Sequence, residues 1–521
     1  MTPISAVAPD HVDTFIQMWD RTVTGHGHRP FLVFREVDGT LTSWTYAGFD
    51  ALVDRTAGLL KAHGVGSGDA VHLCLRNCPG FIALWLAAAR LGAWIVPADP
   101  AASARDIRRH LERVTPVVGF ASTERAAVYR DGAAASGVPI IELSETARDL
   151  GTDGALAGAP LPHQDRAMPA PLDRLAIMFT SGTTSEPKGV DLTQANYATV
   201  GRVMAPVAGL DPEHRWYVSL PLFHGNAQYY CFAAAIAVGA SVGLAATFSA
   251  SRWIQIGREL QATHASLFAA PIRMILARTP AGTEPLDLQH LWFAQNLAPA
   301  HHEQFGHLIG TAPRQLYGMT ETVAVVTCDR GESPGSETIG TVTPGRTVTL
   351  LDPVTRQPAH PGERGIIAVQ GIRGVDLFRG YLDDPETTAQ SFHTDAEGIE
   401  WFLTGDLATV DESGAWRFVG RMDDVVKVSG ENVSLTEVEA AVAEAPGVLE
   451  VAVVTIPDAV RDVIPVAYVV PRDPADPPST DELEAWSQDN LAPAARPRQW
   501  HLIDELPRTS VGKIRRSAIA R

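Results

Sequence analysis

Residues 179–197, FTSGTTSEPKGVDLTQANY, crowd small hydroxyl-bearing residues and glycines around one lysine, directly after the apolar run RLAIMF. A turn rich in backbone N–H groups and hydroxyls wraps phosphate oxygens well, and an ammonium adds a point charge. The run is not a Walker loop: from Gly182 to Lys188 it reads GTTSEPK, with Pro187 where that motif has its second glycine. Taken alone it fits a polar surface loop between strand and helix as well as a phosphate cradle. Two other stretches carry reactive residue types. QLYGMTET (315–322) sets one carboxylate, Glu321, among hydroxyls, and 508–521 holds five basic residues (Arg508, Lys513, Arg515, Arg516, Arg521) and no acid. In a chain of net charge −18, a basic end suits either solvent or a phosphate.

The elements that must hold these residues read as alternating helix and strand over the first 150 residues. TFIQMWDRTV is helical, FLVF and LTSWTY are strands, and FDALVDRTAGLLKAHGV is a helix ending at Gly64. AVHLCL and WIVPADP are strands flanking the apolar helix PGFIALWLAAARLGA. Such alternation predicts α/β layering around parallel sheet. From about residue 335 the texture changes to short strands punctuated by Gly and Pro, which predicts a small β-subdomain. The last hundred residues read as a compact α+β unit, giving an expected division into a core domain, 1–420, and a C-terminal domain, 421–521. A length of 521 residues suits two or more domains, and 45% apolar with 20% charged residues is ordinary for a soluble globular protein. No apolar run reaches the ~18 residues of a spanning helix, and MTPISAVAPDHVDTF lacks the pattern of a secretory signal. A cytoplasmic protein is expected, with no nucleic-acid or membrane partner, given the acidic balance. The four cysteines (Cys74, Cys78, Cys231, Cys328) are scattered and read as buried free thiols.

The loop closely resembles the phosphate loop of the adenylate-forming superfamily: acyl-CoA synthetases, peptide-synthetase adenylation domains and luciferases. Five more motifs follow in the family's order: PLFH (221–224), QLYGMTET (315–322), WFLTGDLA (401–408), GRMDDVVKVSGENVSLTEVE (420–439) and LPRTSVGKIRR (506–516). The resemblance covers nearly the whole chain. Ser185 stands where the family usually has Gly, a feature associated with the crotonobetaine/carnitine–CoA ligase-like branch.

The resemblance implies a reaction and assigns residues to it. A carboxylate attacks the α-phosphate of ATP, so an anion must meet a polyanion, and the site must supply cations and donors. By resemblance, Thr180, Ser181, Gly182, Thr183, Thr184 and Lys188 hold the β- and γ-phosphates. Tyr317, next to Gly318, stacks on adenine, Thr320 reaches the α-phosphate, and Glu321 binds Mg²⁺. Asp406 accepts from the ribose hydroxyls and Arg421 approaches ribose or phosphate. Lys513 sits over the reacting oxygens, which gives the basic end a purpose. Asp423 is the implied hinge about which the C-terminal unit turns for thioester formation. Lys427, Gly430 and Glu431 then face a pantetheine tunnel.

The acid is less legible. His224 is the implied acyl gate, with Asn226, Gln228, Tyr229, Tyr230, Phe268, Arg273, Met319 and Thr322 nearby. Where the family often has Gly-Gly-Ala, this chain reads Ala294, Gln295, Asn296. Bulk and amides there imply a shortened, polar pocket for a small polar or aromatic acid. CoA is the expected acceptor and ATP and Mg²⁺ the expected cofactors. The open alternative is another acceptor, such as a carrier protein or amine, or activation of a non-carboxylate oxyanion such as nitrite in natural-product assembly.

Overall fold

The computed structural model describes residues 12–180, 187–360, 362–428, 431–458, 462–508 and 514–519. The expected calls on Ser181, Gly182, Thr183, Thr184, Gly430 and Lys513 lie outside the described residues.

The chain forms mixed α/β structure with a large N-terminal part and a small C-terminal part. The N-terminal part is built on two large sheets, of nine and seven strands, and a five-stranded one. The large sheets are mostly parallel at their centres, as the βα alternation requires. Ala70–Cys74 pairs in parallel with Trp94–Pro97 and with Val118–Ser122, and His264–Phe268 does so with His290–Ala294. One hydrophobic cluster is shared by strands of both sheets and by the helices Phe15–His26, Tyr46–Ala62, Pro79–Arg90 and Gln194–Val207. Every residue of Pro79–Arg90 is buried, which explains a helix apolar on all sides. Proline at its first turn costs no hydrogen bond. Gly64 follows the second of these helices at φ 85°, the left-handed stop its sequence predicts. All four cysteines are free and buried.

The expected small β-subdomain is the five-stranded antiparallel sheet of Thr347–Leu351, Gly365–Gln370, Phe392–Thr394, Glu400–Val410 and Trp416–Arg421. It ends at the turn Met422–Asp424. Beyond lie the hairpin Val425–Val428/Glu431–Ser434, the helix Leu435–Ala443 and a three-stranded sheet around Val448–Asp458 and Asp462–Pro471. These have a hydrophobic cluster of their own. No described helix is long and apolar enough to cross a membrane.

One local expectation differs. The loop after RLAIMFT leads into a second strand, not a helix. Arg174–Thr180 and Lys188–Thr193 pair antiparallel, with Thr180 opposite Lys188. The helix begins only at Gln194, capped by Thr193. The chain that follows the loop is thus a strand rather than the helix of P-loop proteins.

Candidate active site

The stems of the loop are held by one guanidinium. Arg113, on the helix Ala104–Val114, donates Nη1 to the Pro187 carbonyl (2.8 Å) and Nη2 to the Leu382 carbonyl (3.1 Å). It also lies 5.1 Å from the ring centroid of Phe179, whose ring stacks on His110 at 4.2 Å. Residues on both sides of 181–186 are thus tied to one side chain. Sequence reading missed Arg113, because nothing in ARDIRRHLERV separates it from its neighbouring arginines.

Lys188 starts the second stem. Its Nζ lies 5.0 Å from the ring centroid of Tyr381. The Tyr381 hydroxyl donates to Glu321 Oε1 at 3.0 Å. Glu321 is 5% exposed, and burial pushes its carboxyl above the usual range. The Tyr381 hydroxyl and the charges of Lys188 and Arg421 oppose that shift. No group of three or more His, Cys, Asp or Glu among the described residues is arranged to hold a metal ion. A site of one carboxylate completed by phosphate oxygens does not need one. A buried carboxylate met by the Tyr381 hydroxyl and its own amide, and drawn by the charges of Lys188 and Arg421, fits such a hard cation.

The Glu321 motif is set by a tight chain reversal. The strand Arg314–Tyr317 leads into the 3-10 turn Thr320–Thr322, closed by the Met319 amide donating to Thr322 Oγ1 at 3.0 Å. Val323 follows at φ 62°, ψ −80°, a strained conformation for a β-branched residue, about 1–3 kcal/mol. Gly318 is required by crowding: a Cβ there would meet Tyr230 Oη at 2.8 Å and Val325 Cα at 3.3 Å. Thr320 and Met319 are half-buried.

Asp406 and Arg421 face each other across neighbouring strands, in register. Tyr317 donates its hydroxyl to Asp406 Oδ2 at 2.6 Å, and Arg421 Nε lies 3.5 Å from Asp406 Oδ1. Burial, with the Asp406 charge beside it, raises the Tyr317 hydroxyl far above its ordinary range, so it stays a donor. Glu321 feels the charge of two cations, Lys188 and Arg421, and the second of these also pairs with Asp406.

The residues after PLFHG form a π-helix, Asn226–Ala233, running into the helix Ala234–Val238. Such wide turns concentrate at functional sites, and NAQYYCFA gives no sign of one, since residue spacing does not separate π from α. His224 is half-buried, its ring 4.3 Å from that of Phe223. Asn226 Nδ2 donates to Ser266 Oγ at 2.9 Å. Gln228 is fully buried, accepting from the Tyr197 hydroxyl (2.7 Å) and donating to the Leu222 carbonyl (2.6 Å). Its amide thus secures the PLFH turn. Gln295 and Asn296 are exposed at the end of the strand His290–Ala294. Gln295 has φ 76°, a conformation that favours glycine, and its carbonyl accepts from Gln315 Nε2 at 3.2 Å. The implied hinge, Asp423, lies within the turn Met422–Asp424.

Residues 19–382 match the family model of the AMP-binding enzymes, and residues 437–513 match the C-terminal domain of the same enzymes. The chain belongs to the AMP-binding enzyme family. The crotonobetaine/carnitine–CoA ligase of Salmonella paratyphi A is 31% identical to this AMP-binding enzyme over 511 residues, covering 96% of this chain and 97% of the relative. The motif-based resemblance to the adenylate-forming superfamily and that branch therefore holds. Two solved structures share the fold. The anthranilate CoA ligase AuaEII with anthranoyl-AMP superposes with a TM-score of 0.87 at 21% identity, covering 98% of this chain and 97% of the other. The amide bond synthetase McbA from Marinactinospora thermotolerans superposes with a TM-score of 0.81 at 24% identity, covering 97% and 99%.

Proposed function

We propose that this AMP-binding enzyme activates a small polar or aromatic carboxylic acid with ATP and transfers the acyl group to CoA. One observation carries the reading. Lys188 and Glu321 meet at Tyr381, Arg421 pairs with Asp406, which Tyr317 holds, and the Arg421 charge reaches Glu321. Cations and carboxylates so placed suit a magnesium nucleotide, with phosphates for the cations, metal and ribose for the carboxylates.

In the first step a carboxylate oxygen bonds to the α-phosphorus of ATP, and the bond from that phosphorus to the β-bridging oxygen breaks. Pyrophosphate leaves and an acyl-adenylate remains. In the second step the CoA thiolate sulfur bonds to the acyl carbon, and AMP departs with the anhydride oxygen. Lys188 with Thr180, Ser181, Gly182, Thr183 and Thr184 holds the β- and γ-phosphates. Thr320 reaches the α-phosphate and Lys513 offsets the charge of the approaching acid. The Tyr317 hydroxyl is committed to Asp406, which leaves its ring for adenine beside Gly318. That bond also aims Asp406 at the ribose. Mg²⁺, when bound at Glu321, draws charge from the phosphates.

The acid lies beneath His224, with Asn226, Met319, Gln295 and Asn296 around it, and Gln228 acts one layer behind. The core domain spans 1–420 and the lid 421–521. Asp423 is the hinge, and Gly430 allows close approach of the pantetheine arm. The name of the Salmonella relative supports CoA as acceptor. The fold alone does not choose, because an amide bond synthetase shares it. A mass-spectrometric screen of small acids and nitrite with ATP, with and without CoA, tests the proposal. Acid-dependent AMP with acyl-CoA supports it. AMP formed equally without CoA and no thioester contradicts the acceptor, and nitrite alone as substrate contradicts the acid.

A further inference from the structure

Resting on the proposed nucleotide site, we propose that Tyr381 is a positioning residue. Its hydroxyl presents the Glu321 carboxylate to Mg²⁺, and its ring face holds Lys188 ready for the nucleotide phosphates.

Tyr381 ends the two-residue strand Gly380–Tyr381, which pairs antiparallel with Lys188–Thr193. That strand is fixed from several sides. The Leu382 amide donates to the Gly189 carbonyl (2.7 Å), the Arg379 amide to the Asp191 carbonyl (2.9 Å), and the Tyr381 amide to Thr388 Oγ1 (2.8 Å). Arg113 ties the Leu382 carbonyl to Pro187, at the exit of the phosphate loop. The phenol packs edge-on against Phe378, ring centroids 4.9 Å apart. A ring so fixed offers Lys188 and Glu321 a constant point of contact.

Its two polar features reach two different groups. The face of the ring lies under the Lys188 ammonium at 5.0 Å, within the range where a ring quadrupole attracts a cation. The hydroxyl occupies Oε1 of Glu321, at 3.0 Å. With the Glu321 amide beside it, this donor fixes the carboxylate plane, as outer partners of metal-binding carboxylates do. The phenol thereby sets the spacing between the loop cation and the metal carboxylate before any nucleotide arrives. RGYLDDPETT offered no signal of this in the sequence, because a Gly-Tyr pair before a Pro-containing turn is an unremarkable strand end.

The two contacts separate by substitution. Tyr381→Phe keeps the ring and removes the donor; Tyr381→Leu removes both. Calorimetric titration with ATP in EDTA and again with excess Mg²⁺ reads the two functions apart from turnover, with melting temperature as the fold control. In EDTA, Tyr381→Phe is expected to bind ATP like the wild type. The Mg²⁺-dependent gain in its affinity should fall about tenfold, the lower end for loss of an outer partner of a metal ligand. Tyr381→Leu is expected to weaken the EDTA titration as well, several-fold. A Tyr381→Phe protein with an undiminished Mg²⁺ gain overturns the hydroxyl's role, and a Tyr381→Leu protein with wild-type binding in EDTA overturns the ring's. Folded variants that lose both affinities equally reduce Tyr381 to general packing and overturn the proposal. Wild-type protein that binds no ATP under either condition overturns the nucleotide site itself, a result distinct from these.

Discussion

Arg273 Nε lies 3.4 Å from Oε1 of Glu450, an ion pair that joins the helix Ala269–Arg278 to the strand Val448–Asp458. The other Glu450 oxygen meets Arg508. Arg508 and Ile514 form an antiparallel bridge, so they close the segment that contains Lys513. On its far side Arg516 is held by Glu439 (2.6 Å) and Asp424 (3.2 Å). Two of the basic residues near the chain end thus anchor the residues on either side of the segment, and one anchor reaches the helix Ala269–Arg278 through Glu450.

Glu450→Gln leaves two guanidiniums facing each other without their shared carboxylate. The pair is partly exposed, so its loss is worth less than that of a fully buried one. We expect adenylation to slow about tenfold, about 1.4 kcal/mol in the barrier, as read by a rapid-quench measurement of pyrophosphate release. A wild-type burst would separate this ion pair from the placement of the lid.

Asp423→Pro is expected to damage the two half-reactions unequally. A hinge is a position that absorbs a change of φ and ψ, and proline fixes φ near −65°. Adenylate formation and transfer from purified acyl-adenylate to CoA are measured separately. Equal losses would move the hinge elsewhere.

His264 gives a pH prediction. It is 1% exposed, and burial lowers its pKa to about 4. Its Nε2 lies 3.1 Å from the Ala208 carbonyl, which suits a neutral ring donating there. With a folded pKa below the unfolded value of about 6.5, the unfolded state binds the extra proton between the two. The stability contributed is full above pH ~6.5 and is lost as pH falls to ~4. His264→Gln should therefore flatten the fall in stability over that window, followed by urea unfolding at each pH. A slope identical to wild type would show that His264 does not titrate there.

Gln295→Gly replaces a residue held at φ 76° by the one that adopts it freely. The relief of strain and the extra entropy of the unfolded glycine nearly cancel, so stability should change by about 1 kcal/mol or less. The acid preference is expected to widen toward bulkier acids. Retained preference across an acid panel would place the pocket's limit elsewhere.

The parts of this molecule legible in its sequence are those with a local signature. The apolar run at 79–89 reads as a buried helix, and the glycine- and proline-punctuated stretch after 335 reads as short strands. The ordered motifs gave Lys188, Glu321, Tyr317, Asp406 and Arg421 with their neighbourhood. What stayed hidden depends on pairings across the chain. Tyr381 meets Lys188 and Glu321 only through a two-residue strand, and Arg113 joins Pro187 to Leu382 from a helix some seventy residues upstream of the loop. Glu450 looked like an ordinary strand residue until its two arginines came together. The second strand after the phosphate loop was missed because KGVDLT is too short and polar to stand out beside a strong helix start.

We infer that a cation from the C-terminal unit makes the collision of a carboxylate with ATP feasible. It is tested most directly by ATP–pyrophosphate exchange with the acid found in the screen, comparing wild type and Lys513→Ala at matched nucleotide occupancy. Acid-dependent exchange in the wild type, reduced ~10²–10³-fold or more in the variant, is predicted from the loss of one preorganised stabiliser. Exchange by Lys513→Ala at the wild-type rate contradicts the account.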